Sequence, residues 1–319
     1  MKILLIFPQA DHQTGLFIKR AFVDLGHEVD CFDPKEEDIS LAFGAFCESH
    51  PDMVFCSRTA GLALPVQRMK FLRPEIVTMC WNVDKRDSIV EFGPKLMELF
   101  GSVDILYTIA KGNIEEYQKH FPRVKVLHLQ QGCDLAVHHP EELTAEDHAK
   151  YDCDVMFAGD YESTLHHGRR EIIKALQEMN KAWVKVNFYG KEKKVFDSEH
   201  NKACQCAKIC IGHNGWAHLP LSMSVRDYKI MAAGGFLLTE ECPEIEEWFG
   251  GYYKKVMFYK YASELQEQIM RWVSPKSEEQ RKRMAIEGMD FVHKNHKYID
   301  RMALVIKDVE EWVSTHTRS

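Results

Sequence analysis

Hydrophobic positions in the first half of the chain alternate between short runs of strand length and longer stretches with helical spacing. Lys2 to Phe7 predicts a strand, and Leu16 to Leu25 predicts an amphipathic helix that Gly26 ends. His27 to Phe32 predicts the next strand. Further strand and helix patterns follow at 53–57, 76–81, 94–100, 104–108, 112–120 and 124–129. Strands that alternate with helices indicate βαβ units and a parallel sheet.

A second series of strands and helices begins near Asp154. Three of its predicted strands end at a glycine: Val155 to Ala158 before Gly159, Val184 to Tyr189 before Gly190, and Ala207 to Ile211 before Gly212. Helices are predicted from Arg169 to Met179 and from about Glu278 to Val313. Two such series in 319 residues predict an α/β protein of two Rossmann-like parallel-sheet domains that face each other. Ligands are then expected in the cleft, at the carboxyl ends of the strands.

The domain boundary is predicted in the polar stretch from Pro140 to Asp152, which is rich in Glu, Asp and His. We therefore expect one domain over residues 1–145 and a second over 146–295. Residues 296–319 continue a helical pattern of apolar positions, which predicts a docking helix. No apolar run approaches the roughly 20 residues that span a bilayer, and the N-terminus lacks a signal-peptide pattern. We therefore expect a cytoplasmic protein.

The segment from Ala207 to Phe249 carries the most informative pattern. A predicted strand leads into the loop 212–223 and then into a short helix. Ser224 and Asp227 have the spacing of a capping box, which points the amide groups of residues 225–227 toward the carboxyl edge of the sheet. Arg226 adds a planar cation with several donors, so the sequence predicts a diphosphate site here. The alternative is an ordinary capped helix with a solvated arginine.

The loop 212–223 is long for a compact α/β unit, and loops of that length are usually functional. It carries His213, Asn214 and Trp216, whose side chains are able to stack on a base or bond a sugar.

The same segment resembles a known family. The run from Ser224 to Thr239, followed by Pro243 to Phe249, resembles the C-terminal domain of the CgeB-like (spore maturation protein) glycosyltransferases. The resemblance covers residues 150–305 well and the N-terminal half loosely. Its further motif positions are Gln131 to Asp134, Pro140, Asp154 to Gly159, Arg169, Arg281, Ala285, Gly288, His296, Tyr298 and Arg301.

This resemblance implies the GT-B fold, with a C-terminal helix that crosses back to the first domain. It also implies transfer of a sugar from a nucleotide diphosphate sugar donor to a hydroxyl acceptor, which is a glycan, lipid, protein or small molecule. The diphosphate is handled without a metal or cofactor. Where many GT-B enzymes place a ribose-binding Glu, this chain has Lys229, which is able to meet phosphate or face solvent. The expected donor-binding residues are Gly159, Arg169, Gly190, His213, Asn214, Trp216, Ser224, Arg226, Asp227 and Lys229.

The N-terminal domain is expected to bind the acceptor through loops that follow its strands. Gln9, His12 and Gly15 follow the first strand, and His12 is a candidate general base because histidine titrates near neutral pH. Asp84 and Arg86 follow another strand, and there Asp84 is positioned to accept a proton and Arg86 to bind an anion. The alternatives are a solvated loop histidine and a turn aspartate.

Charge and cysteine content argue against several functions. A formal net charge of −7 argues against a sequence-independent nucleic-acid binder, since such proteins need a basic face. The ten cysteines are scattered, which indicates reduced thiols, and Cys56 and Cys80 are expected in the core. The set His200, Cys204, Cys206, Cys210 and His213 has poor zinc-site spacing, so no metal is expected. His166 and His167 lie near the predicted phosphate edge.

Two alternative functions remain. A non-transferring GT-B relative, epimerase-like or simply nucleotide-binding, would retain the fold, and Lys229 is the feature that favours it. A phage-type glycosyltransferase acting on modified DNA bases would share the donor chemistry but need a basic acceptor surface.

Overall fold

The structure is a computed structural model, and it describes residues 1–160, 168–190, 192–251 and 255–316. Its contacts divide the chain into two compact units. The first comprises Met1–Gln131 together with Tyr298–Ser319, and the second comprises Gly132–Lys297.

The strands and helices alternate along most of the chain. The strands are β1 (Lys2–Ile6), β2 (Glu28–Phe32), β3 (Met53–Ser57), β4 (Val77–Asn82), β5 (Ile105–Thr108), β6 (Lys125–His128), β7 (Cys153–Ala158), β8 (Val186–Tyr189), β9 (Ala207–Ile211), β10 (Leu237–Glu240) and β11 (Met257–Tyr259). The α-helices are α1 (Thr14–Asp24), α2 (Ala42–Ser49), α3 (Ala63–Leu72), α4 (Pro94–Phe100), α5 (Ile114–His120), α6 (Ala145–Tyr151), α7 (Arg169–Ala182), α8 (Asp197–Cys206), α9 (Val225–Ala232), α10 (Ile245–Trp248), α11 (Ala262–Val273), α12 (Glu278–Asn295) and α13 (Tyr298–His316).

The first unit is built on a parallel sheet with the strand order β2-β1-β3-β4-β5-β6. The central strands β3, β4 and β5 are buried along their whole length, as expected for a parallel sheet with helices on both faces. Phe55 of β3 contacts the rings of Phe7, Trp81 and Tyr107, with centroids 5.2–6.3 Å apart. Helix α13 completes this unit, and its Tyr298 packs on Phe17.

The second unit is built on a parallel sheet with the order β11-β10-β9-β7-β8. The fold prediction of two parallel-sheet α/β domains is therefore confirmed. The polar stretch in which the sequence placed the domain boundary belongs to this unit. Asn201 donates to the carbonyl oxygen of Val137 at 2.6 Å, and the backbone N–H of Glu141 donates to Gln205 at 2.8 Å. These bonds fix the stretch to α8.

The sequence pattern indicated one continuous helical C-terminus. The structure instead breaks it between α12 and α13. The break has a tertiary cause. The carbonyl oxygen of His296 accepts from the backbone N–H of Cys133 at 2.9 Å, and a Cβ at Gly132 would lie 2.7 Å from that oxygen. The His296 ring lies among aromatic side chains, including Tyr228 and Trp248. Within the described residues no helix has the length and apolar character to cross a bilayer.

Candidate functional site

A cavity of about 460 Å³ opens in the second unit at the carboxyl ends of β7 and β8. Five of the predicted donor residues line it. Gly159 follows β7, Gly190 follows β8, and Ser224, Arg226 and Lys229 belong to the cap and first turns of α9. This is the edge at which open parallel sheets bind their ligands.

Arg226 forms one wall of the cavity and also supports the backbone. Its Nε donates to the carbonyl oxygen of Ala158 at 2.5 Å, and its Nη1 donates to that of His213 at 3.4 Å. The guanidinium carbon lies 5.0 Å from the centroid of the Phe157 ring. Its Nη2 lies against Gly159, where a Cβ would overlap it. The alternative of a solvated arginine is wrong, because Arg226 donates to two backbone carbonyls.

Arg169 lies beside the same ring. It is 5% exposed, its Nη1 donates to the carbonyl oxygen of Asp160 at 2.8 Å, and its guanidinium carbon is 6.0 Å from the Phe157 centroid. Burial, and then the charge of Arg226, lower the pKa of Arg169 to about 9. Among the described residues its buried Nε has no hydrogen-bond partner. Two guanidinium groups therefore share one aromatic ring, and of the two Arg226 lines the cavity.

Lys229 adds a third cationic group. Burial lowers its pKa to about 8, and Asp197 partly opposes this. Two buried histidines lie within its electrostatic reach: burial first, and Lys229 next, lower the pKa of His200 to about 3 and that of His138 to about 2. Both histidines are therefore neutral at physiological pH. An anion bound here would meet cationic side chains with few carboxylates to compete.

The N-terminus of α9 confirms Ser224 as the cap, but not the predicted pattern of amide groups. The Ser224 hydroxyl accepts from the backbone N–H of Arg226 at 3.3 Å, and the Ser224 carbonyl accepts from that of Asp227 at 3.1 Å. Two of the three amides that the sequence assigned to a diphosphate are thus engaged within the cap. Positive charge at this site comes mainly from side chains.

Asp227 is fully buried and lies away from the cavity. Its carboxylate accepts from the Thr239 hydroxyl at 2.9 Å, and it contacts the backbone at Gly212, where a Cβ would overlap both side chains. Asp227 therefore connects α9 to β10. The second half of the predicted capping box is replaced by this tertiary contact.

The remaining predicted donor residues hold the loop 212–223 in place. Glu240 accepts from the backbone N–H of Asn214 at 3.0 Å, and its carboxylate lies 2.9 Å from Nδ1 of His213. Asn214 donates to the Glu240 carbonyl at 2.6 Å and accepts from the backbone N–H of Ser224 at 2.9 Å. Trp216 is 6% exposed, and its carbonyl accepts from Ser222. These hydrogen bonds hold the loop in one conformation, and the loop in turn holds the N-terminus of α9 in place.

In the first unit, the loop after β1 folds closely on itself. A Cβ at Gly15 would overlap the carbonyl oxygen of Pro8, and Gln9 donates to the carbonyl of Phe7 at 3.0 Å. His12 has φ of +60°, a conformation that is uncommon for a residue with a side chain. Gly15 therefore lies at a close approach between two segments of the protein.

Asp84 lies between two arginines. Its Oδ2 accepts from Nη2 of Arg58 at 2.6 Å and lies 3.4 Å from Nη1 of Arg86. The sequence pattern paired Asp84 with Arg86 but missed Arg58, which follows β3. Parallel strands that end at one sheet edge bring these loops together, and this is not visible from spacing along the chain.

Three further residues in or near this cavity were not predicted from the sequence. The Phe157 ring contacts the guanidinium groups of both arginines, and His200 lines the cavity wall. Glu240 accepts a hydrogen bond from the loop 212–223. The strand pattern made Phe157 a core residue, and His200 belonged to a set considered only for metal. His166 and His167 lie outside the described residues.

Residues 168–307 match the model of the glycosyl transferase-like family. The chain has the GT-B fold, and this matched part of it is similar to glycosyl transferases. No curated protein matches the sequence.

Solved structures share this fold. HepE from Anabaena, in complex with UDP and glucose, is 10% identical with a TM-score of 0.69, covering 98% of this chain and 100% of that one. A glycosyltransferase from Rickettsia africae is 11% identical with a TM-score of 0.69, covering 99% of each chain. An α-glucosyltransferase in complex with UDP-glucose and DNA is 9% identical with a TM-score of 0.68, covering 97% of this chain and 99% of that one. At these identities the likeness concerns the fold.

Proposed function

We propose that the cavity of the second unit binds the diphosphate of a nucleotide-sugar donor. The observation that carries this proposal is the placement of Arg169 and Arg226 beside one ring, with Lys229 on the same cavity. Such crowding is unfavourable without an anion, since burial and like charge lower the pKa of Arg169. A diphosphate would relieve the repulsion and, as a leaving group, gain most from cations already in place.

The donors that remain for the ligand are specific atoms. Nε and Nη1 of Arg226 donate to backbone carbonyls. Its Nη2, which lies beside Gly159, is the atom that would donate to the ligand. Gly159 has no side chain to block a phosphate at that point. Arg169 does not line the cavity, so it would act on the diphosphate through its charge. Lys229, at the position of the usual ribose-binding carboxylate, would meet a phosphate oxygen. UDP, which HepE binds, is one candidate nucleotide.

We further propose that the chain belongs to the CgeB-like subgroup, which the run from Ser224 to Thr239 supports. His213, Asn214, Trp216 and Asp227 would then act in donor binding by holding α9 in position.

The acceptor is assigned to the first unit. Asp84, ahead of His12, is our candidate to accept the proton of the acceptor hydroxyl, and Gln9, Gly15 and Arg86 are assigned to acceptor binding. The Arg58–Asp84–Arg86 group supports this because it offers both an acceptor of protons and donors for an anionic substituent. DNA as the acceptor is disfavoured by the net charge of −7, although one structural neighbour is bound to DNA.

A thermal-shift panel of UDP, GDP, ADP and dTDP, with their sugar conjugates, tests the donor. A nucleotide at 100 times its Kd should stabilise the fold by about 2.7 kcal/mol. Release of free sugar from the preferred conjugate, without an acceptor, separates a transferase from a binding module. If no member of the panel shifts the melting temperature, the donor proposal is wrong.

A further inference from the structure

A second group of side chains, each able to bind a metal ion, lies where α6 and α8 meet. His148 lies on α6 and Asp152 caps its C-terminus one turn later, so both side chains lie on one face, with Nδ1 of His148 2.9 Å from Oδ1 of Asp152. Cys206 is the last residue of α8. One imidazole nitrogen, one carboxylate oxygen and the thiol sulfur all lie within 4.8 Å of one another.

An imidazole, a carboxylate and a thiol form a donor set that suits zinc. Zinc binds these three ligand types in four-coordinate sites, whereas magnesium and calcium require oxygen ligands. We propose that His148, Asp152 and Cys206 form a zinc-binding site. One thiolate and one carboxylate would balance the two charges of the ion.

The required rearrangement is small. Tetrahedral zinc with bonds of 2.0–2.3 Å separates its ligand atoms by about 3.3–3.5 Å. The three ligand atoms lie within 4.8 Å of one another, so the His148 and Asp152 atoms must approach the sulfur by at most about 1.3 Å. The imidazole and carboxylate, 2.9 Å apart, must separate slightly. His148 and Asp152 have side chains that are 51% and 55% exposed, so they are free to change rotamer, while Cys206 is held at 9% exposure. The two exposed side chains are therefore able to move toward an ion bound by the buried sulfur.

The surroundings leave both a route of entry and a vacant fourth position. All three ligands line a cavity of about 740 Å³, from which water completes the coordination. Lysines on the adjoining elements pair with other carboxylates: Lys150 with Glu199 at 2.7 Å, Lys202 with Asp147 at 3.2 Å, and Lys208 with Asp154 at 2.7 Å. Asp152 is thus left to the histidine and the ion.

This site differs from the His–Cys set visible in the sequence. Of that set only Cys206 belongs to it. Cys204 and Cys210 are fully buried, the Cys210 thiol donates to the Cys204 carbonyl, and His213 lies against Glu240. The new ligands are 54 and 58 residues before Cys206 in the chain. A bound ion would fasten α6 to the point where α8 enters β9.

Cobalt titration of the full chain, stripped of metal with a chelator, tests the site. One Co²⁺ per chain should produce a sulfur-to-cobalt charge-transfer band and the visible bands of four-coordinate cobalt, and Zn²⁺ should abolish both. Cys206→Ser should lose the charge-transfer band. His148→Ala should weaken binding at least about tenfold. Cys47→Ser, which removes a half-buried thiol of the first unit, is the matched control and should retain the band.

A second measurement needs no variant. Zn²⁺ should slow alkylation of Cys206 by iodoacetamide in the parent protein, as measured by peptide mapping, and leave the rate at Cys47 unchanged. Absence of a band with stoichiometric Co²⁺, a band that persists in folded Cys206→Ser, or equal alkylation of Cys206 with and without Zn²⁺ would each overturn the proposal.

Discussion

The backbone at Gly159 runs so close to Arg226 that a Cβ on residue 159 would overlap the guanidinium group. Gly159 also has φ of +152°, which residues with side chains rarely adopt. The same arginine donates to the carbonyl of Ala158, the last residue of β7. The end of β7 and the first turn of α9 are therefore held in one arrangement, and glycine is the residue that permits it.

Gly159→Ala should lower both stability and nucleotide affinity. Strain and the displaced guanidinium should cost about 1–3 kcal/mol in the free energy of unfolding, and affinity for the preferred nucleoside diphosphate should fall at least tenfold. Chemical denaturation and calorimetric titration measure the two effects. The control is Gly26→Ala, which has φ of +83° but nothing within 4 Å of the added Cβ. It should be strained yet bind normally, and equal affinity in both variants would contradict the assignment.

Arg226→Ala should weaken nucleoside-diphosphate binding by about 1.5–3 kcal/mol, the range for hydrogen bonds to charged groups. It should also destabilise the fold, by about 1–3 kcal/mol, because the carbonyls of Ala158 and His213 lose their donor. Arg226→Lys should recover part of the affinity, since an ammonium lacks the planar fork.

Calorimetry with UDP, GDP, ADP and dTDP measures the Arg226 effect, with a melting curve for each variant. Arg283→Ala, an exposed arginine of α12 that pairs with Glu287, controls for loss of charge. If folded Arg226→Ala binds as tightly as the parent, the donor site lies elsewhere.

Nucleotide affinity should depend on pH through Lys229. Its pKa of about 8 means that the ammonium is charged below pH 8 and neutral above it. An anion prefers the charged form, so affinity should decline as the pH rises from 8 toward 10, and the decline should be smaller in Lys229→Met. Titrations at pH 7, 8 and 9 measure this, with Lys181→Met, an exposed lysine of α7, as the control. If affinity declines with pH as steeply in Lys229→Met as in the parent, the titrating group is a different residue.

Lys229 should make the free energy of unfolding rise with pH, whereas it makes nucleotide affinity fall. Burial lowers its pKa from 10.5 in the unfolded chain to about 8 in the fold, so the unfolded state binds more protons between these values. Its contribution to the free energy of unfolding therefore rises with pH from about 8 to 10.5. Denaturation of parent and Lys229→Met across this window should give curves that converge as the pH rises. Curves that stay parallel would show that Lys229 titrates normally.

Asp84→Asn should reduce turnover at least tenfold and leave the donor Kd unchanged, because Asp84 belongs to the first unit. His12→Ala should act in the same direction with a smaller effect. Release of nucleoside diphosphate from the preferred donor measures turnover, and calorimetry measures Kd. Arg73→Ala, whose partner Glu75 is also at the surface of this unit, serves as the control. Unchanged turnover in both variants would remove these residues from the chemistry.

Local patterns of the sequence predicted the regular elements well. The strand Ala207–Ile211 and the cap Ser224 lie where the sequence placed them, because strand length and N-cap preference depend on neighbouring residues. Cys56 and Cys80 are buried thiols as expected. Helix α8 was missed, since its polar sequence carries little apolar periodicity.

By itself, the sequence determined two parallel α/β units, a glycine after several strands, and a capped helix with an arginine at its start. Each of these follows from residues within a few positions of one another. Only the tertiary structure decided what Arg226 and Asp227 contact: Arg226 reaches Ala158, 68 residues away, and Asp227 turns inward to Thr239. It likewise decided that Asn214 and Glu240 hold the loop. Hydrogen bonds between distant strands arise from how the sheet is ordered, and strand order is not encoded in local spacing.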